Sequence, residues 1–260
     1  MSIETPREIR ERIRSGQWAR PTSGLAPAYA QANLVIIDQR HAFEFLLFCQ
    51  RNPKPCPVVE VVEPGLYETR LSAPGGDIRK DVPLYRIWKN GELIEEIPDI
   101  THYFGPGSVS FLLGCSFSFE HALIAGGVPV RNIDEGKNVS MYITNRKCIP
   151  AGRFSSPLVV SMRPIRHDLV SRAVRITGRY SSVHGAPVHI GDPRVLGISD
   201  LDRPDFGEAV SIREDETPVF WACGVTSSVA ALSAGLDMCI THAPGHMFIT
   251  DLLNESLAEG

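Results

Sequence analysis

Twice in this chain a short apolar run gives way to a turn of glycine, cysteine and hydroxyl residues, and then to a helix. The first such segment runs from Phe111 through Gly114, Cys115, Ser116 and Ser118 to Leu123. The second runs from Phe220 through Cys223, Gly224, Thr226 and Ser227 to Leu232. Apolar runs of this length, closed by turn residues, are strands buried on both faces. Strand–turn–helix units at two separated places imply layers of helix against sheet. With Phe111 aligned on Phe220, Cys115 falls opposite Gly224 and Cys223 opposite Gly114, an offset that counts against strict equivalence of the two thiols. If the two units are equivalent, they bracket an inserted segment. The expected fold is α/β: a mixed-sheet α/β sandwich domain of residues 1–130 and 191–260, with a smaller inserted α+β domain of residues 131–190.

The other elements follow from local chemistry. Thr5-Pro6-Arg7-Glu8 carries a capping residue, a proline suited to the first helical position and a carboxylate three residues after the cap. Apolar positions between Ala30 and Arg51 predict a helix with a break near Arg40, stopped by Asn52 and Pro53. Strands are expected at 57–62, 109–113, 139–144, 158–162, 218–222 and 238–241. Asn90-Gly91 between Leu84–Trp88 and Leu93–Ile94 predicts a two-residue hairpin. Helices are expected at 118–125, 167–177 and 226–234.

The 260 residues are 43% hydrophobic and 22% charged, as in a globular protein, and carry a net charge of -4. A negative chain without a dense Lys/Arg run lacks the positive field that a phosphate backbone requires, so no nucleic acid partner is expected. The apolar runs are too short to span a bilayer, and no apolar core of a secretory signal follows Met1. Six scattered cysteines without a C-x-x-C pair fit reduced thiols. The expectation is a cytoplasmic protein with no membrane association. A homo-oligomer is compatible with the sequence, which does not fix the assembly.

Three loops carry the candidate chemistry. In residues 114–120, Cys115 at a helix start is a candidate base or nucleophile with a lowered pKa. Ser116 and Ser118 can cradle a carboxylate there, and Glu120 can serve as an acid; equally, these polar groups can simply cap the helix. In residues 222–228, Cys223 and Thr226 repeat the arrangement. In residues 241–247, His242 and His246 are proton carriers. Pro244-Gly245 breaks the helix that a His-x-x-x-His metal pair needs, so no metal is expected, and no cofactor motif occurs. Asn145 and Arg163 lie in the expected insertion, where Arg163 at a strand end suits a bidentate carboxylate clamp or an ion pair.

Together, the segments 114–120, 222–226 and 241–247 resemble the bacterial hydro-lyase family related to mitochondrial D-glutamate cyclase. Residues 48–53, 76–83 and 142–145 fit the same pattern, so the resemblance extends over nearly the whole chain. It implies a two-part α/β fold and a lyase acting on a small carboxylic or amino acid. Glutamate cyclisation to 5-oxoproline would be one instance. The catalytic candidates are Cys115, Glu120, His242 and His246. The substrate-binding candidates are Ser116, Ser118, Asn145, Arg163, Cys223 and Thr226. Two other readings stay open: a two-thiol isomerase or racemase of a small acid, and a non-catalytic small-acid sensor.

Overall fold

The computed structural model describes residues 4–258. Its centre is β1 (Tyr29–Asp38), whose run Leu34-Val35-Ile36-Ile37 is buried on both faces. β1 carries β5 (Ser108–Gly114) along one edge, with Val35 opposite Phe111. Along its other edge lie β10 (Cys239–His242) and β11 (Phe248–Leu253), one after the other. The sheet continues through β2 (Val58–Val62) beside β5, and through β3 (Tyr85–Lys89) and β4 (Glu92–Ile97) beyond β10. All the paired strands of this seven-stranded sheet run antiparallel.

The expected helix over residues 30–51 is two elements. The β-branched run before Asp38 forms β1, because it is buried on both faces and needs no alternation to sit in a sheet. Asp38 then accepts from the Arg40 N–H and caps α2 (Gln39–Arg51). The hairpin forms where expected, with Asn90 (φ 51°) and Gly91 (φ 83°) both left-handed, as its two-residue turn requires. The amino-terminal helix α1 (Pro6–Arg14) has the expected capping box between Thr5 and Glu8.

A second, four-stranded antiparallel sheet has the order β6 (Ser140–Lys147), β7 (Pro157–Arg166), β9 (Glu216–Ala222) and β8 (His189–Ile190). The segment 131–190 supplies three of these strands. The fourth, β9, which pairs with both β7 and β8, comes from beyond it.

Helices join the two sheets by crossing over. α3 (Phe117–Ala125) follows β5 of the large sheet but packs on the small one. Its Phe119 and Leu123 share a core with Ile165, Val219, Trp221 and Ala173 of α5 (Val170–Gly178). α6 (Val225–Ser233) follows β9 of the small sheet but packs on the large one. Its Ala230 and Ala231 join Val35, Phe111 and the α2 residues Phe45 and Phe48. The opposite face of the large sheet is closed by the segment between β2 and β5, through Ala73, Ile78, Val82 and Ile100. A single-turn α4 (Arg131–Asp134) completes the helices.

Candidate functional site

The two turns that make these crossings set the site. β5 and β9 are each seven residues long, and α3 and α6 are each nine. In both units one cysteine follows the strand and one residue separates it from the helix. The Ser118 N–H donates to the Cys115 carbonyl at 3.1 Å, as the Thr226 N–H does to the Cys223 carbonyl. Structurally, therefore, Cys115 matches Cys223, one position away from the register that the sequence suggested. The glycines misled that alignment because they do different jobs. Gly114 ends its strand, where a Cβ would lie 2.3 Å from Val183, whereas Gly224 precedes its helix, where a Cβ would lie 2.2 Å from the Asn33 side chain.

Both cysteines line one cleft of about 110 Å³, together with Ser116, Thr241, His242, Pro244 and Gly245. The three loops singled out in the sequence therefore meet there. A space of this volume suits a small molecule.

His242 owes its position to a break in the sheet. β10 pairs with Val35–Ile37 of β1 and β11 with residues 29–32, so between them the Leu34 N–H lacks a strand carbonyl. It donates instead to His242 Nδ1 at 3.1 Å. The Leu34 carbonyl lies farther from Nδ1, at 3.4 Å, so the shorter bond from the amide puts the ring proton on Nε2, which has no protein partner among the described residues. Burial lowers the His242 pKa to about 4, so the ring is neutral and Nε2–H is a donor at physiological pH.

The thiols differ from expectation. Burial pushes Cys115 up to about 12 and Cys223 up to about 11, outweighing the N–H groups of Phe117 and Val225 that favour the thiolates. A helix start alone does not acidify a thiol that has lost its water.

Arg163, expected to clamp a substrate carboxylate, instead clamps Glu120. It is fully buried, and its Nε lies 3.0 Å from Glu120 Oε1, with a second, shorter contact from Nη2. It also donates to Ser116 Oγ at 3.0 Å and Ser161 Oγ at 3.1 Å. The pair ties α3 to β7, and neither Glu120 nor Arg163 lines the cleft. Ser116 is thus committed to Arg163 rather than to capping α3. Ser118 is buried with its hydroxyl unpartnered, and Thr226 Oγ1 accepts from the Val159 N–H at 3.0 Å. His246 bonds through Nδ1 to the Pro244 carbonyl at 2.9 Å and lies outside the lining. Asn145 is exposed on β6, against Gly197, away from the cleft.

Arg86 and Asn33 are among the lining residues that escaped the sequence reading. Arg86 is the one charged side chain in the lining, and it pairs with Glu96 at 2.7 Å. Its signal was the alternation of β3, in which Tyr85 and Ile87 enter the core and leave Arg86 and Trp88 on the other face. Asn33 is a polar residue inside the apolar run of β1, and its Nδ2 donates to the Gly114 carbonyl at 2.9 Å. A wider groove of about 450 Å³ beside Asp38, Arg40 and Asp237 has its charges satisfied among themselves, Arg40 bonding Asp38 at 2.9 Å and Asp237 at 3.5 Å.

The D-glutamate cyclase family pattern matches residues 109–251, which include both cysteine turns and both histidines of the third loop. The chain belongs to the D-glutamate cyclase family. It is 68% identical to a Syntrophobacter fumaroxidans protein named "Putative hydro-lyase", over 98% of both chains. It is 59% identical to a Geobacillus kaustophilus protein of that name, over 96% of this chain and 95% of the other. It is 56% identical to the Bacillus subtilis "Putative hydro-lyase YcsI", over 97% and 98%. A nitrogen repressor-like protein of Methanococcus jannaschii overlaps 94% of this family member and 98% of its own chain, at a TM-score of 0.40 and 9% identity. No helix among the described residues is long and apolar enough to cross a membrane.

Proposed function

We propose that this chain is a carbon–oxygen lyase that removes water from a small hydroxy- or amino-acid, with glutamate cyclisation to 5-oxoproline as one instance. The family name and the hydro-lyase names of close relatives support the reaction class. The observation that carries the reading is the shared cleft of the three loops, where a neutral imidazole and two thiols surround a volume fit for one small acid.

Expelling water needs a proton donor at the leaving oxygen, a base for the departing proton and a holder for the spectator carboxylate. In this reading one of the two thiols, neutral at physiological pH, is the proton donor, the other in its minor thiolate form is the base, and His242 Nε2–H hydrogen-bonds the oxygen that gains charge. The starts of α3 and α6 hold the carboxylate, with Arg86 supplying positive charge. Glu120 and Arg163 keep α3 in position and do not touch the substrate.

The test is an NMR time course on the D and L forms of glutamate and malate with the purified protein. Loss of substrate with formation of 5-oxoproline or fumarate supports the reading. His242→Gln should then lower kcat by roughly 100-fold, the usual size of a lost hydrogen-bond donor to developing charge. An unchanged panel at high protein concentration would sink it.

A further inference from the structure

The two cysteines are related more closely than membership of one cleft requires. Each stands one residue after a seven-residue strand and two before a nine-residue helix, and the two strands belong to different sheets. α3 and α6 cross between those sheets in opposite senses, and both helix starts border the cleft. In each unit the N–H of the residue two positions on, Phe117 for Cys115 and Val225 for Cys223, favours the thiolate. The same groups thus line one small volume, together with His242, whose Nε2–H has no protein partner among the described residues. A single base would need only one of these units.

We propose that Cys115 and Cys223 act as a matched acid–base pair on opposite faces of the substrate's α-carbon, exchanging its proton and inverting its configuration. This rests on the reading above only in taking the cleft's occupant to be a small amino- or hydroxy-acid.

The pair shares one proton beyond the substrate's own, and because burial favours the thiols, this thiol–thiolate form is the minor one at neutral pH. The thiolate of one cysteine removes the α-hydrogen as a proton, and the C–H electron pair passes into the carboxylate as an enediolate. The thiol of the other cysteine then delivers its proton to the opposite face. The bond broken and the bond formed are both C–H, no oxidant enters, and the enzyme ends with thiol and thiolate exchanged. His242 Nε2–H and the positive dipole ends of α3 and α6 steady the carboxylate while it carries the extra charge. An imidazole that is neutral donates that hydrogen bond without competing for the α-proton.

The pair makes a mirror-image prediction that no structural role of a thiol imitates. The probes are the D and L forms of glutamate, aspartate and malate, each incubated in D2O with full-length protein and followed by NMR. With at least one acid, wild type should wash deuterium into the α-position of both enantiomers and interconvert them. Cys115→Ser should lose exchange from one enantiomer by at least 100-fold and Cys223→Ser from the other, with thermal melts like wild type. Should either serine variant melt early, the alanine variant replaces it. Exchange absent from every acid overturns the pairing, as does loss of the same enantiomer in both variants. Water loss without exchange overturns it while leaving the lyase reading intact. Exchange without water loss keeps the pairing and overturns the lyase.

Discussion

Arg163 and His242 show how a buried polar side chain gets its state from what the backbone leaves unsatisfied. Arg163 has no water at all, so its donors are taken up by Glu120, Ser116 and Ser161, and its guanidinium lies within 5.5 Å of the Phe119 and Trp221 ring centres. His242 takes the amide hydrogen that the gap between β10 and β11 strands. His184 is a second such histidine, with Nδ1 2.8 Å from the Lys54 carbonyl and a pKa also lowered to about 4 by burial. Both rings stay neutral in the fold while an unfolded chain protonates them near pH 6.5. A depressed folded pKa contributes stability that is whole above about 6.5 and lost as pH falls towards 4. Each ring should account for a loss on the order of 3 kcal/mol across that window. Urea midpoints measured from pH 7 to 4.5 should fall steeply, and His184→Gln should flatten part of the fall. A midpoint independent of pH over that range would mean that the rings take up protons without unfolding.

At the level of elements, the two cysteine turns depend on how close strand and helix approach. Gly224 faces the Asn33 amide so closely that any Cβ would collide with it, and Asn33 in turn holds the Gly114 carbonyl that precedes Cys115. Gly224→Ala should therefore disturb both turns through one contact. We expect roughly 1–3 kcal/mol of destabilisation, the usual range for overpacking, with turnover or α-proton exchange falling further than stability alone explains. Denaturant unfolding alongside activity checks this, and Gly235→Ala in an open position serves as a comparison for a left-handed glycine (φ 61°). The elements that sequence identified well were those with local punctuation: the Thr5 cap, the Asn90-Gly91 turn and the strand before Pro64. β1 was hidden because a strand buried on both faces and a buried helix share the same apolar run, and only the capping by Asp38 separates them. The cleft loops were visible as turns. The partners of Glu120 and Arg163 were not, because two residues 43 positions apart are joined only by the crossing of α3 onto the second sheet. The thiols' raised pKa values were equally invisible, since burial comes from the whole fold and the helix start from the local sequence.

Across the whole molecule, the crossing helices decide whether two sheets mean two folding units. A self-contained inserted domain of residues 131–190 would unfold without its host. Here the small sheet takes β9 from outside that span and α3 from the large sheet's connection, while the large sheet takes α6 from the small sheet's connection. Neither layer can close its core with its own helices alone. Removing α3 would expose Phe119 and Leu123 along with the Trp221 face of the small sheet, and it would leave the buried Arg163 without its carboxylate. Each of those losses is costly in a core packed at crystal density. The two sheets should therefore melt together. Trp221 sits in the small sheet and Trp88 in the large one, so Trp18→Phe/Trp88→Phe and Trp18→Phe/Trp221→Phe variants report one sheet each by fluorescence. Their urea transitions should coincide with each other and with far-UV circular dichroism. Phe119→Ala, a truncation in one core, should cost about 3–5 kcal/mol and move both reporters equally. Separate midpoints, or a Phe119→Ala shift confined to the Trp221 reporter, would mean that the sheets fold as independent units and that the crossing helices dock afterwards.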